Sequence, residues 1–146
     1  MRSPLSTAQS LYIGRLTEID DGRPQSHTTF TKPKEFESIR FNGLVKQSCE
    51  LLYYLEQNIA EDKTTLPQDR FLTVDYKAVC TNPQQEVSRI ADFMNNHGLP
   101  TKHIREVPPN FPYSHVRRVN LDTYQTMIDH LERLYGHTIE RLDEPS

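Results

Sequence analysis

Apolar side chains recur at helical spacing in four stretches of this chain. Leu5, Ala8, Leu11 and Tyr12 share one face, Ser3 stands where an N-cap belongs, and Pro4 takes the first helical position, where its missing N–H costs nothing; a helix is predicted over 3–16. Leu44, Val45, Cys49, Leu52, Leu55 and Ile59 form the longest stripe and predict a helix over 39–61. Val87, Ile90, Ala91 and Met94 are the inner face of a third helix, with Asn82 as cap, Pro83 at the first position and Gln85 at the capping-box position; Gly98 and Pro100 end it. Tyr124, Met127, Ile128, Leu131 and Tyr135 predict a last helix over 121–135, stopped by Gly136.

Between these lie segments without a helical period. Residues 17–38 carry Asp-Gly and two prolines and read as a long exposed loop, a kind of segment that is often functional. Residues 71–76, FLTVDY, are β-branched and aromatic and predict a strand buried on both faces, as in a parallel sheet. Residues 98–113 are a Pro-rich linker, continued to 120 by a basic loop. One strand cannot make a sheet. The expectation is therefore an α/β protein with few of its strands in this chain, whose exposed edge pairs with a missing N-terminal portion or with another chain.

Composition narrows this picture. The 146 residues suit one ordinary domain, but the apolar fraction of 35% allows only a thin core. The mean hydropathy of −0.72 is polar. A net charge of −3 leaves no global basic field for nucleic acid, although one arginine in a pocket needs none to bind an anion. No stretch approaches the roughly 20 apolar residues of a membrane span, and the first fifteen residues lack a signal-peptide core; a cytoplasmic location is the default expectation. Cys49 and Cys80 are far apart in sequence and read as reduced, semi-buried thiols.

The opening MRSPLSTAQSLY poses a chemical question. An anion over the start of the first helix would meet free backbone N–H groups and the positive end of the helix dipole. Arg2 adds a planar fork suited to phosphate, and Ser10 a short donor. By themselves these residues are a weak signal, and an arginine paired with a carboxylate and a serine on a solvent face is the commoner arrangement.

A second segment bears on that choice. LPQDRFLTVDYKAVCTNPQQEVSRIADFM places Phe71, Leu72, Thr73, Val74, Tyr76, Pro83, Ile90 and Phe93 in a pattern that resembles the sulfotransferases using the sulfate donor PAPS. That family also carries Arg-x-Pro with a serine eight positions after the arginine, matched here by Arg2, Pro4 and Ser10. The resemblance covers about residues 1–97. It implies a P-loop-like α/β sulfotransferase fold, incomplete in this chain, and transfer of a sulfuryl group from PAPS to a hydroxyl or amine acceptor. It implies that Arg2 and Ser10 hold the 3′-phosphate, that Tyr76 lies near the adenine, and that Arg117 and Arg118 close over the donor's phosphate. It also implies that the 17–38 loop shapes the acceptor side. No metal is required. Asp75 and Lys77 reverse the charge order that the family often shows around its tyrosine, and no G-x-x-x-x-G-K loop occurs, so the chain reads as the C-terminal portion of such a protein.

Weaker candidates remain. His115 is a candidate acid or base, more often a packing or capping residue. His130 and His137 are seven apart and lack a nearer ligand, so no metal site is expected. Tyr53 and Tyr54 read as core and rim. The alternative functions are a non-catalytic remnant or interaction module, and a nucleotide-binding α/β domain with a different phosphodonor.

Overall fold

The structure is a computed structural model that describes residues 2–20, 31–102 and 105–145. Its helices are α1 (Pro4–Asp20), α2 (Phe36–Ile39), α3 (Leu44–Thr65), α4 (Tyr76–Thr81), α5 (Pro83–Asn96) and α6 (Leu121–Tyr135), with a 3₁₀ turn at Gln68–Arg70. The chain divides into two compact units. The larger comprises Ser3–Thr65 and His115–Ser146; the smaller comprises Leu66–Ser114 together with Arg2. Residues 21–30 of the predicted 17–38 loop lie outside the described residues; of the rest, 17–20 continue α1 and α2 begins at Phe36.

In the larger unit, α1, α3 and α6 pack on one another because each carries an apolar stripe. Leu5 and Ala8 from α1 meet Cys49 and Leu52 from α3 and Tyr124, Met127, Ile128 and Leu131 from α6. Val119, Ile139 and Leu142 seal this core from the flanking segments. The thin core expected from composition is thus concentrated in three helices and two loops.

Both ends of α6 follow from local chemistry. Asn120 Oδ1 accepts the Thr123 N–H at 2.8 Å, and Gly136 adopts the left-handed conformation, φ 73°, that ends the helix as predicted. The chain then turns back. Leu142 N–H donates to the Tyr124 hydroxyl at 2.7 Å, and Val116 pairs with Asp143 in an isolated parallel bridge.

The predicted 39–61 helix is displaced. Gly43 has a φ of 79°, so the chain breaks there, leaving the single-turn α2 ahead of α3. Ile59, placed in the apolar stripe by spacing, is exposed, because α3 extends beyond what α1 and α6 cover. Ser3 does not cap α1 through its side chain. Its hydroxyl has no hydrogen-bond partner, while its carbonyl accepts both the N–H and the hydroxyl of Thr7.

The smaller unit overturns the predicted strand. Residues 71–75 belong to no β-ladder: the Phe71 N–H donates to the Gln68 carbonyl, the Thr73 carbonyl accepts from Arg89, and Tyr76 begins α4. The cause is local: Asp75 Oδ1 accepts the Ala78 N–H at 3.0 Å, an N-cap that starts a helix inside the β-branched run. Pro83 opens α5 as predicted, but Asn82 does not cap it; its side-chain amide donates to Gln85 Oε1 at 2.7 Å instead.

The α/β expectation is therefore corrected. Among the described residues there is no β-strand and no parallel sheet, so this is not a P-loop-like sulfotransferase fold, and the exposed sheet edge expected at 71–76 does not exist. The described chain is helical. None of its helices is long and apolar enough to cross a membrane.

Candidate functional site

The site in the larger unit is built on a polar residue in an apolar face. Gln9 lies one turn after Leu5 on the buried side of α1 and is only 1% exposed. A buried amide must find partners for both ends. Gln9 Nε2 donates to the Val116 carbonyl at 2.9 Å, and Gln9 Oε1 accepts the Arg118 N–H at 2.9 Å. The side chain thus reads the backbone of residues 116–118 as a neighbouring strand would.

This clamp delivers Arg118 to its partner. Arg118 Nη2 donates to Ser10 Oγ at 2.5 Å, across 108 positions of sequence. Ser10 donates its own proton to the Ser6 carbonyl at 2.9 Å, so its oxygen is the acceptor toward the arginine. Arg118 is exposed, and one guanidinium N–H is spent on Ser10. An oxyanion reaching this pair would be met by the rest of the arginine fork, and a rotation of the serine would turn its proton outward.

Arg117 is held differently. It donates to the Val119 carbonyl at 2.9 Å and to Glu144 at 2.6 Å, and it lies over the Tyr124 ring. These contacts fasten the loop to the C-terminal segment. His115 Nε2 stands 3.9 Å from a Glu140 carboxylate oxygen, and the His115 carbonyl accepts the Asp143 N–H.

The smaller unit brings together the other two predicted residues. The Arg2 guanidinium lies 4.7 Å from the Tyr76 ring centroid, and Tyr76 in turn lies 5.8 Å from Tyr113, which Lys77 approaches. The predicted residues therefore meet as two pairs, one in each unit: Ser10 with Arg118, and Arg2 with Tyr76.

Sequence reasoning missed a second buried polar cluster, between α3 and α6. His130 Nε2 faces Glu50 Oε1 at 3.1 Å, Arg133 donates to His130 Nδ1, and Asn42 donates to both Glu50 oxygens. Burial, with Arg133 and Lys46 nearby, outweighs the Glu50 carboxylate and holds the imidazole below its ordinary pKa. Its neutral form donates to Glu50 and accepts from Arg133. Cys49 is buried on α3 next to Glu50, and desolvation followed by the Glu50 charge pushes its thiol up to about 12, which makes it a poor nucleophile. Among the described residues no group of three His, Cys, Asp or Glu side chains is placed to hold a metal ion. Gln9 and Glu50 were both legible in principle, since each interrupts an apolar stripe with a polar residue.

No known protein family, curated protein or solved structure matches the chain.

Proposed function

We propose that the chain binds a 3′-phosphorylated adenine nucleotide of the PAPS type, with Ser10 and Arg118 holding the 3′-phosphate. The observation that carries this reading is the Arg118–Ser10 hydrogen bond, which joins the serine of the Arg-x-Pro motif to the late basic loop. The Gln9 clamp supports it by fixing the arginine before any ligand arrives, which lowers the ordering cost of binding. On this reading PAPS is the donor and a hydroxyl or amine the acceptor of its sulfuryl group. Two free cysteines accord with a reducing, cytoplasmic setting.

A second reading is a module that holds the nucleotide without transferring sulfate. The helical architecture of the described residues favours it, since the resemblance had implied a sheet. Calorimetry and transfer assays separate the two. Adenosine 3′,5′-bisphosphate binds at least about tenfold more tightly than adenosine 5′-phosphate if the 3′-phosphate is recognised by a charged pair. Equal affinities overturn both readings. Transfer of radiolabelled sulfate from PAPS to a phenol or sugar supports the first; binding without transfer supports the second.

A further inference from the structure

The seam between α3 and α6 holds a cavity of about 180 Å³, lined by Lys46, Thr126, Asp129, His130 and Arg133. All five residues lie on α3 or α6, each of which is described along its whole length. Buried His130 has its two ring nitrogens committed in opposite senses. Nε2 donates to Glu50 Oε1 at 3.1 Å, and Nδ1 accepts from Arg133 Nη2. Asn42 donates to both Glu50 oxygens, at 3.1 and 3.0 Å. In the lining, Asp129 accepts from the Gln125 amide at 2.7 Å, and the Thr126 hydroxyl donates to the Asp122 carbonyl at 2.8 Å. Among the described residues no carboxylate pairs with Lys46 or Arg133.

With the ring neutral the local charges balance, Lys46 and Arg133 against Glu50 and Asp129. A proton changes both the charge and the hydrogen bonding. It enters at Nδ1, because Nε2 already carries one, and Nδ1–H is then a donor facing a donor. Arg133 loses its acceptor. The imidazolium, the guanidinium and the Lys46 ammonium become three cations around one small cavity. An oxyanion entering there accepts from Nδ1–H and the arginine fork together and relieves their repulsion. A volume of about 180 Å³ is below the roughly 300–1,000 Å³ that encloses a drug-sized ligand, so a small ion fits and a nucleotide does not. The ring's low basicity accords with this. Burial sets it first, Glu50 opposes it, and Arg133 and Lys46 reinforce it; an anion beside those two cations offsets their effect.

We propose that this cavity is a proton-coupled site for a small tetrahedral oxyanion, sulfate or inorganic phosphate, bound when His130 is protonated and released when the ring is neutral. Lys46, Arg133 and His130 Nδ1–H hold the anion. The proposal goes beyond the nucleotide reading and does not rest on it.

The test is an NMR titration of the full chain with sodium sulfate at about pH 5.5 and about pH 7.5, on either side of the ordinary histidine pKa, with sodium chloride holding the ionic strength constant. Saturable shifts are expected at Lys46, at residues 126–133 and at the His130 ring, with affinity at least about tenfold higher at the lower pH. By the same linkage, saturating sulfate raises the pKa of the His130 ring by about one or more. Arg133→Gln and Lys46→Gln each weaken binding about tenfold at the lower pH, through loss of a charged partner. Both side chains are exposed, so an unchanged urea midpoint shows that the fold is retained. His130→Gln keeps a donor for Glu50 and an acceptor for Arg133, and is expected to bind weakly and equally at the two pH values. Asp129→Asn removes the carboxylate that competes for Arg133 and strengthens binding. Equal sulfate affinity of the wild-type chain at the two pH values overturns the proposal. So does an unaffected Arg133→Gln variant, a His130 pKa that sulfate leaves unchanged, shifts that chloride alone reproduces, or an absence of saturable shifts.

Discussion

Gln9 and Arg118 are 109 positions apart in the chain, and the Arg118 N–H donates to the Gln9 side-chain carbonyl at 2.9 Å. With the Gln9 amide bound to Val116, one buried residue satisfies two backbone groups of a loop that has no ladder partner on that side. Replacing it by leucine keeps the bulk and removes both bonds. Gln9→Leu is therefore expected to lose about 2–4 kcal/mol, the cost of leaving a buried donor and acceptor unmet, measured by urea denaturation. Gln9→Glu keeps an acceptor for Arg118 but sets a buried carboxylate oxygen against the Val116 carbonyl, so it is expected to lose at least as much at neutral pH.

His130 predicts the acid limb of stability. Its folded-state pKa is lowered, chiefly by burial, with Arg133 and Lys46 acting in the same direction and Glu50 opposing them. The unfolded chain then takes up this proton more readily than the folded one. Stability is complete above the ordinary histidine pKa of about 6.5 and falls as pH drops below it. The urea midpoint is expected to fall between pH 7.5 and 5, and to fall less in His130→Gln. An equal fall in both would show that His130 does not contribute.

Tyr135 donates its hydroxyl proton to Glu56 at 2.5 Å, linking α6 to α3. Burial, then this hydrogen bond and the Glu56 charge, raises the phenol well above its ordinary range. At about pH 11, where exposed tyrosines ionise, Tyr135 stays protonated. Tyr135→Phe is expected to leave the ultraviolet ionisation amplitude unchanged at that pH. It also loses about 1 kcal/mol of stability with the hydrogen bond.

Core and surface positions on α6 should separate cleanly. Leu131 is fully buried and Leu121 is exposed, though they lie on one helix. Leu131→Ala is expected to cost about 2–5 kcal/mol through lost burial and the cavity left behind. Leu121→Ala stays within about 0.5 kcal/mol. Thermal denaturation of the two variants checks this.

What was legible in the sequence tracks how local its cause is. α6 was placed to the residue because Gly136 and a clean apolar stripe act within the helix itself. The 71–76 strand misled because a β-branched run implies a partner strand, while Asp75 supplied a cap that favours a helix. Gly43 was a helix break hidden between two apolar residues, Phe41 and Leu44. Ser10 and Arg118 were both marked as phosphate ligands, but nothing in their spacing shows contact across 108 positions. That contact depends on Gln9, a residue whose role appears only when α1 and the late loop are placed together.

Titration calorimetry of adenosine 3′,5′-bisphosphate against the wild-type chain and Arg118→Ala is the most direct measurement of nucleotide recognition. Arg118 is exposed, so the variant should keep its thermal midpoint. Binding weakened at least about tenfold is the predicted result, the loss of one charged hydrogen-bonding partner to phosphate. Equal affinity in the two proteins, or no binding by the wild-type chain, would contradict it.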